Sequence, residues 1–275
     1  MATEVEQLDD PAVVLELARD HLVARPVEHN LVLTLLWARV VSPEPGLYWM
    51  VRDAGSVVGV GFQSPVGYVV TATPMPAEAA AALSAAIVDA GGAVAGVQAE
   101  AATSAVIAGT WTELTGSAAV PRMGMRIYVL DQLVMPIDVP GYARVATAAD
   151  AELVLQWIEG FHRDTGDPSV VDDQSHRARI AGGAYRLWCV DGVAVSMCAC
   201  SPVLEGVSRV NAVYTPPELR GRGYAAAVVA AISAEIQGDG ATAMLFTDLG
   251  NPTSNKIYRR LGYRAVAENL RYDFT

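Results

Sequence analysis

Apolar runs and helical spacings divide the chain into two passages of similar rhythm. In the second passage, residues 185–190, 193–201 and 208–214 have the short apolar or alternating pattern of strands. From 224 the period changes: Ala225, Val228, Val229, Ile232 and Ile236 recur at steps of three and four, which predicts a helix, and Gly238 stands where its C-cap is expected. The apolar run 241–247 reads as a buried strand. A short helix follows, with Asn251 suited to the N-cap, Pro252 to the first helical position and Gly262 to the stop. A strand from Tyr142 and helices around 150–159 and 174–180 precede these elements. The first passage reads as strands at 48–51, 57–62 and 68–73, a helix over 76–90, a strand over 93–97, a helix over 100–114 and a strand over 125–130. Between the passages, Met135-Pro136-Ile137-Asp138-Val139-Pro140-Gly141 has the prolines and glycine of a linker. The expectation is an α/β (α+β) chain with a first domain at 1–134, a linker at 135–141 and a second domain at 142–275.

Where the strand ending at Val213, Tyr214 and Thr215 stops, Pro216-Pro217-Glu218-Leu219-Arg220-Gly221-Arg222-Gly223-Tyr224-Ala225 leads into the helix. The first turn of a helix has unpaired N–H groups and a partial positive charge, so an anion placed there is stabilised. Gly221 and Gly223 let the backbone approach a bulky diphosphate and take positive φ where the turn requires it. Arg220 and Arg222 add cationic donors. No Gly-x-x-x-x-Gly-Lys-Ser/Thr string occurs, and a dinucleotide fingerprint needs three glycines ahead of its helix. One strand later, Ser254 and Tyr258 lie four apart and Asn255 and Tyr258 three apart, so they share a helix face beside the apolar pair Ile257 and Leu261. Read alone, Tyr258 is equally an amphipathic core residue.

Arg-Gly-Arg-Gly-Tyr-Ala fits the pattern Arg/Gln-x-x-Gly-x-Gly/Ala, and Asn-x-x-Ser-x-x-x-Tyr-x-x-x-Gly-Tyr follows it in order. Together they resemble the two motifs of the GNAT acetyltransferase superfamily. The resemblance implies two GNAT-like domains, each a mixed, mostly antiparallel sheet flanked by helices, with acetyl-CoA as acyl donor and a small-molecule primary amine as acceptor. It implies cofactor-binding roles for Val213, Tyr214, Thr215, Arg220, Gly221, Arg222, Gly223, Tyr224, Ala225, Asn251, Ser254 and Asn255, and a strand that bulges away from its neighbour to receive the coenzyme arm. Tyr258 takes the place of the tyrosine that protonates the leaving thiolate. The attacking amine must be neutral, and Asp248 is one candidate base, with loop hydrogen bonding as its alternative role. Many members carry a Glu on the strand that here reads Arg209-Val210-Asn211-Ala212, so Asn211 is a departure that puts a direct carboxylate base in doubt. By the same resemblance residues 161–179 shape the acceptor pocket, where Asp164, Asp167, Asp172 and Asp173 are either ligands for a cationic amine or ordinary solvated charges.

The first passage lacks this equipment. Its corresponding stretch is Met75-Pro76-Ala77-Glu78-Ala79-Ala80, with no glycine and an acid where a phosphate would sit, and Trp111 stands near the place of Tyr258. It reads as a degenerate GNAT-like domain that supports the other or walls one side of an acceptor pocket.

Of the 275 residues 52% are hydrophobic, enough for sizeable cores, and the net charge of −11 weighs against nucleic acid as a partner. The absence of a basic and apolar leader and of any spanning apolar run predicts a cytoplasmic chain with no membrane partner, monomeric or homodimeric. Cys189, Cys198 and Cys200 are an odd set, with Cys198 and Cys200 on one face of a strand. They read as buried small residues, and with the scattered His21, His29, His162 and His176 they support no metal site. Three functions stay open: N-acetyl transfer to a small amine, acyl transfer to a specialised acceptor in a tandem layout like that of the mycothiol synthases or to an amino sugar, and non-catalytic coenzyme A sensing or protein interaction. A leaving-group acid at Tyr258 argues against the last.

Overall fold

The computed structural model describes residues 3–166 and 170–275. In chain order the strands are β1 (Glu4–Leu8), β2 (Leu47–Asp53), β3 (Ser56–Gln63), β4 (Val69–Ala72), β5 (Gly96–Glu100), β6 (Ala119–Leu130), β7 (Tyr142–Val145), β8 (Tyr185–Val190), β9 (Val193–Cys200), β10 (Val207–Tyr214), β11 (Thr242–Asp248) and β12 (Tyr263–Phe274). The α-helices are α1 (Pro11–Leu17), α2 (Arg19–Ala24), α3 (Asn30–Val41), α4 (Ala77–Asp89), α5 (Ala101–Thr115), α6 (Ala151–Thr165), α7 (Asp173–Ala181), α8 (Tyr224–Gly238) and α9 (Pro252–Arg260). The chain divides into two compact units that do not follow contiguous halves. The first takes the chain up to Ile127 with Thr247–Asn251 and Val266–Thr275, and the second takes Tyr128–Phe246 and Pro252–Ala265.

In the first unit the strands run β1-β2-β3-β4-β5-β12, with β6 beyond β12. Neighbours from β1 to β12 pair antiparallel except β4 with β5. Strand β2 is buried on both faces, and its alternation shows how. Tyr48 and Met50 enter a core with Leu22, Leu33 and Leu36 of the early helices, while Trp49 and Val51 enter the opposite core with Leu83, Ile87 and Ile107 of α4 and α5. Strand β5 begins three residues later than its apolar run suggests, because its register is set by β12: Gly96 stands opposite Asp273 and Glu100 opposite Asn269. The early elements β1 and α1 to α3 have no clear signature in the sequence pattern.

In the second unit the strands run β6-β11-β10-β9-β8-β7, with only the end of β6 included. The β10·β11 pair is parallel and the pairs from β10 to β7 are antiparallel. Met197 and Ala199 face α6 and α7, whereas Cys198 faces α8 with Val210, Val228, Val229 and Ile232. Burying each of those aliphatic side chains contributes about 1.5–3 kcal/mol. The three cysteines are free thiols; Cys189 and Cys198 are buried, as expected, whereas Cys200 is half-buried. Helix α8 ends one step later than the sequence suggests: Gly238 is its last residue, and Gly240 takes the left-handed conformation at φ +77°. The Ala241 and Gly240 amides then donate to Ile236 and Gln237, closing the helix end.

Candidate functional site

Strand β10 parts from β11 half way along while staying paired with β9. It pairs with β11 from Val207 opposite Thr242 to Val210 opposite Leu245, and its register with β9 shifts between Asn211 and Tyr214. Ala212 sits in that shift with φ +49°, an uncommon value for a residue with a Cβ, which marks a bulge. The strand end is pinned from β9: Ser196 Oγ donates to the Tyr214 carbonyl at 3.0 Å and lies 2.8 Å from Thr215 Oγ1.

One 3-10 turn, Pro217–Leu219, carries the chain to the two glycines. Gly221 has φ +78°, and Gly223, with φ +84°, is the N-cap of α8. No side chain caps this helix, and the backbone N–H groups of residues 221–226 donate to no acceptor among the described residues. A Cβ added at Gly221 would meet open space, while one at Gly223 would come within 2.9 Å of Val139 Cγ2. The first glycine therefore leaves room for a ligand and the second is required by its backbone and its neighbour. The flanking side chains brace the turn. Arg220 Nε donates to the Thr215 carbonyl at 2.9 Å, its guanidinium pairs with Asp164 at the end of α6, and it lies over the Tyr214 ring. Arg222 Nη2 reaches the Glu218 carbonyl, and the Tyr224 ring is buried in the core under α8. What Tyr224 and Ala225 present to the turn is backbone.

Helix α9 brings the second motif together. Tyr258 is 7% exposed, between the rings of Tyr128 and Tyr263 at 6.3 and 6.1 Å. Burial, and secondarily the nearby Cys198 thiol, raises its hydroxyl above the ordinary tyrosine value, so it stays protonated and can donate throughout the neutral range. Asn255, also buried, accepts from the Tyr128 hydroxyl at 3.1 Å. Tyr128 thus touches both predicted residues. No motif marks it, because it lies near the end of a strand that otherwise belongs to the first unit. Ser254 is half-buried on the same helix. Asp248 is exposed: its Oδ1 accepts from the Gly250 amide at 2.8 Å and its carbonyl from the Asn251 amide at 3.1 Å.

On the α6–α7 side two of the predicted acids are engaged within the chain. Asp164 pairs with Arg220, Asp172 caps α7 through the Ser175 amide, Asp173 is exposed in the first turn of α7, and Asp167 lies outside the described residues. The same face carries cations. Arg179 Nη2 donates to Asn211 Oδ1 at 3.0 Å and the guanidinium lies 5.1 Å over the Tyr185 ring. Arg209, two residues before Asn211 and largely enclosed, stacks on Phe246, and burial with the neighbouring Arg179 charge lowers its pKa to about 10. His176 Nδ1 is 2.6 Å from the Tyr185 hydroxyl, with the pKa of its imidazole lowered and that of the phenol raised, both by burial first.

The corresponding turn of the first unit is closed. The Met75 amide donates to Thr103 Oγ1 at 3.2 Å, and Pro76 is the N-cap of α4. Trp111 stacks on Phe274 at 4.3 Å as a core group. A cavity of about 440 Å³ lies beside this turn, lined by residues that include His21, Arg25, Met75 and Glu100. Among the described residues no group of three or more His, Cys, Asp or Glu could hold a metal, and no helix is long and apolar enough to cross a membrane.

A family profile described as FR47-like protein matches residues 190–272, the stretch that holds both motifs. No curated protein matches the chain. Among solved structures, an acetyltransferase of the GNAT family from Colwellia psychrerythraea aligns with 99% of this chain and 100% of its own at 12% identity and a TM-score of 0.65. A GCN5-related N-acetyltransferase from Sphaerobacter thermophilus aligns over 98% and 95% at 18% identity and 0.61. A tandem GNAT protein from the clavulanic acid biosynthesis pathway aligns over 98% of both chains at 9% identity and 0.56. The chain has the fold of these GNAT acetyltransferases, a mixed, mostly antiparallel sheet flanked by helices.

Proposed function

We propose that the chain is an acetyl-CoA-dependent N-acetyltransferase that moves an acetyl group to a primary amine of a small molecule by direct attack in a ternary complex. The observation that carries this reading is the open turn at Gly221 and Gly223, with undonated amides at the head of α8, beside a bulged strand end and in the same unit as a buried Tyr258. The amides of residues 221–226 and the helix dipole suit a diphosphate, and their cost of desolvation falls once an anion accepts from them. Past Val210 the β10 edge at Val213, Tyr214 and Thr215 suits an amide-bearing arm. Ser254 and Asn255 of the same unit are proposed as further contacts, and Asn251 is proposed from its place in the motif. Bound acetyl-CoA supplies a thioester carbonyl open to attack by an amine. The Tyr258 hydroxyl, held protonated by burial, donates to the departing sulfur. Asn211 cannot take the proton of the amine, which leaves that step to water or to Asp248, whose assignment rests on the sequence.

The division into a degenerate domain at 1–134, a linker at 135–141 and a catalytic domain at 142–275 is proposed as the evolutionary layout, and the cytoplasm as the place of action. Acetyl-CoA at about a hundred times its dissociation constant should stabilise the protein by about 2.7 kcal/mol, read as a rise in Tm. No rise at such concentrations removes the coenzyme assignment.

A further inference from the structure

The side chains around Asn211 bear on the identity of the acceptor. Asn211 lies between two guanidinium-bearing residues: its Oδ1 accepts from Arg179, and its own amide donates to the Arg209 carbonyl at 3.1 Å. Arg179 is therefore aimed from two sides, by Asn211 and by the Tyr185 ring. Among the described residues Arg179 forms no ion pair, although Arg177, two positions earlier on α7, pairs with Glu152. The imidazole of His176 and the phenol of Tyr185 satisfy each other. Asp164 and Asp172, two of the acids expected to meet a cationic amine, are committed to Arg220 and to the α7 cap. The Arg179 guanidinium, with no acid paired to it among the described residues, is stabilised by an oxyanion. A guanidinium with one donor on Asn211 still has a fork for a carboxylate or phosphate.

We infer that the acceptor amine also carries an anionic group, a carboxylate or phosphate, and that Arg179 recognises it. The inference rests on the acetyltransferase reading above and narrows its acceptor from any small amine to an acidic one. It also gives Asn211 a positioning role. A carboxylate at this position would bind Arg179 itself and cancel the charge, whereas the amide orients Arg179 and leaves its charge available.

The test pairs acceptors that differ only in the anion. Wild-type protein with acetyl-CoA is offered amino acids against their amides and decarboxylated amines, and glucosamine 6-phosphate against glucosamine, with thiol release as the readout. The anionic member should exceed its neutral partner in kcat/KM by about tenfold or more, as expected for a charge-assisted hydrogen bond, and whether carboxylates or phosphate give the larger ratio identifies the oxyanion. Arg179→Gln should erase the ratio by raising KM for the anionic member, with kcat and the acetyl-CoA-dependent rise in Tm unchanged, and Arg179→Lys should restore part of it. Equal or better turnover of the neutral members overturns the inference, as does no turnover of any anionic amine by protein shown to bind acetyl-CoA. Failure to bind acetyl-CoA at all instead sinks the enzyme reading on which it stands.

Discussion

Twice the chain leaves a strand through prolines and enters a helix, and the two turns differ in the amides they present just ahead of it. At the first, Pro74 and Pro76 have no N–H and the Met75 amide is taken by Thr103. The Met75 side chain packs on Gly59 so closely that an added Cβ there would lie 2.6 Å from its Cε, and Glu78 places a negative charge in the opening turn of α4. At the second, the prolines stand well ahead of the helix, and the left-handed Gly221 and Gly223 lie in the interval. Both helices have the same dipole, so the contrast lies in what occupies the last few positions before each helix.

The comparison can be broken most decisively at Gly223. Gly223→Val forces a β-branched residue to φ +84° and against Val139, and coenzyme affinity by calorimetry should fall at least about a hundredfold. Met75→Ala at the closed turn should leave that affinity unchanged. Next in size is the contrast between the two aromatic residues: Tyr258→Phe should lower kcat about a hundredfold with the coenzyme dissociation constant preserved, whereas Trp111→Phe should leave turnover at the wild-type rate.

A smaller effect is read by pH, to which the first unit brings two burial-lowered histidines and the second brings His176. Burial, and after it the neighbouring positive charges, holds the pKa values of His21 and His29 at about 4, below their ordinary 6.5, and their rings stack at 4.7 Å. Because the unfolded chain binds these protons more readily, stability is full above about pH 6.5 and declines as pH falls toward 4. Tm should drop across that window, and less so in a His21→Asn/His29→Asn protein. Asp150, held below its usual range by Arg144, loses its contribution only at more acid pH, so it does not explain a drop above 4. The smallest effect is at the clamp: Thr103→Val should cost about 1 kcal/mol of stability, read from denaturant unfolding, with no change in coenzyme binding.

Local chemistry makes much of this legible in the chain itself. The glycines at 221 and 223, the proline at 252 and the 3.6-residue stripe of α8 each dictate their own conformation, so the open turn and the α9 start follow from a few neighbouring residues. Features made by distant partners do not show. The sequence places a strand at 93–97, but nothing near 96–100 announces a register set by residues 269–273, and nothing near Tyr128 announces its bond to Asn255. Arg220 has the sequence setting of a phosphate donor and stands paired with Asp164, 56 positions earlier, because a guanidinium's partner is chosen by tertiary approach.

The placement of β12 has a consequence for the order of synthesis. A ribosome that has released everything through Ile127 has made a first unit whose β5 edge is unfilled, since Asn269 to Asp273 must still come to it. All of Tyr128–Phe246 must emerge before that edge is covered, so nascent first units spend longer exposed than their own length implies. Shielding of β5 during translation, by a chaperone or by fast elongation, is then a condition for yield.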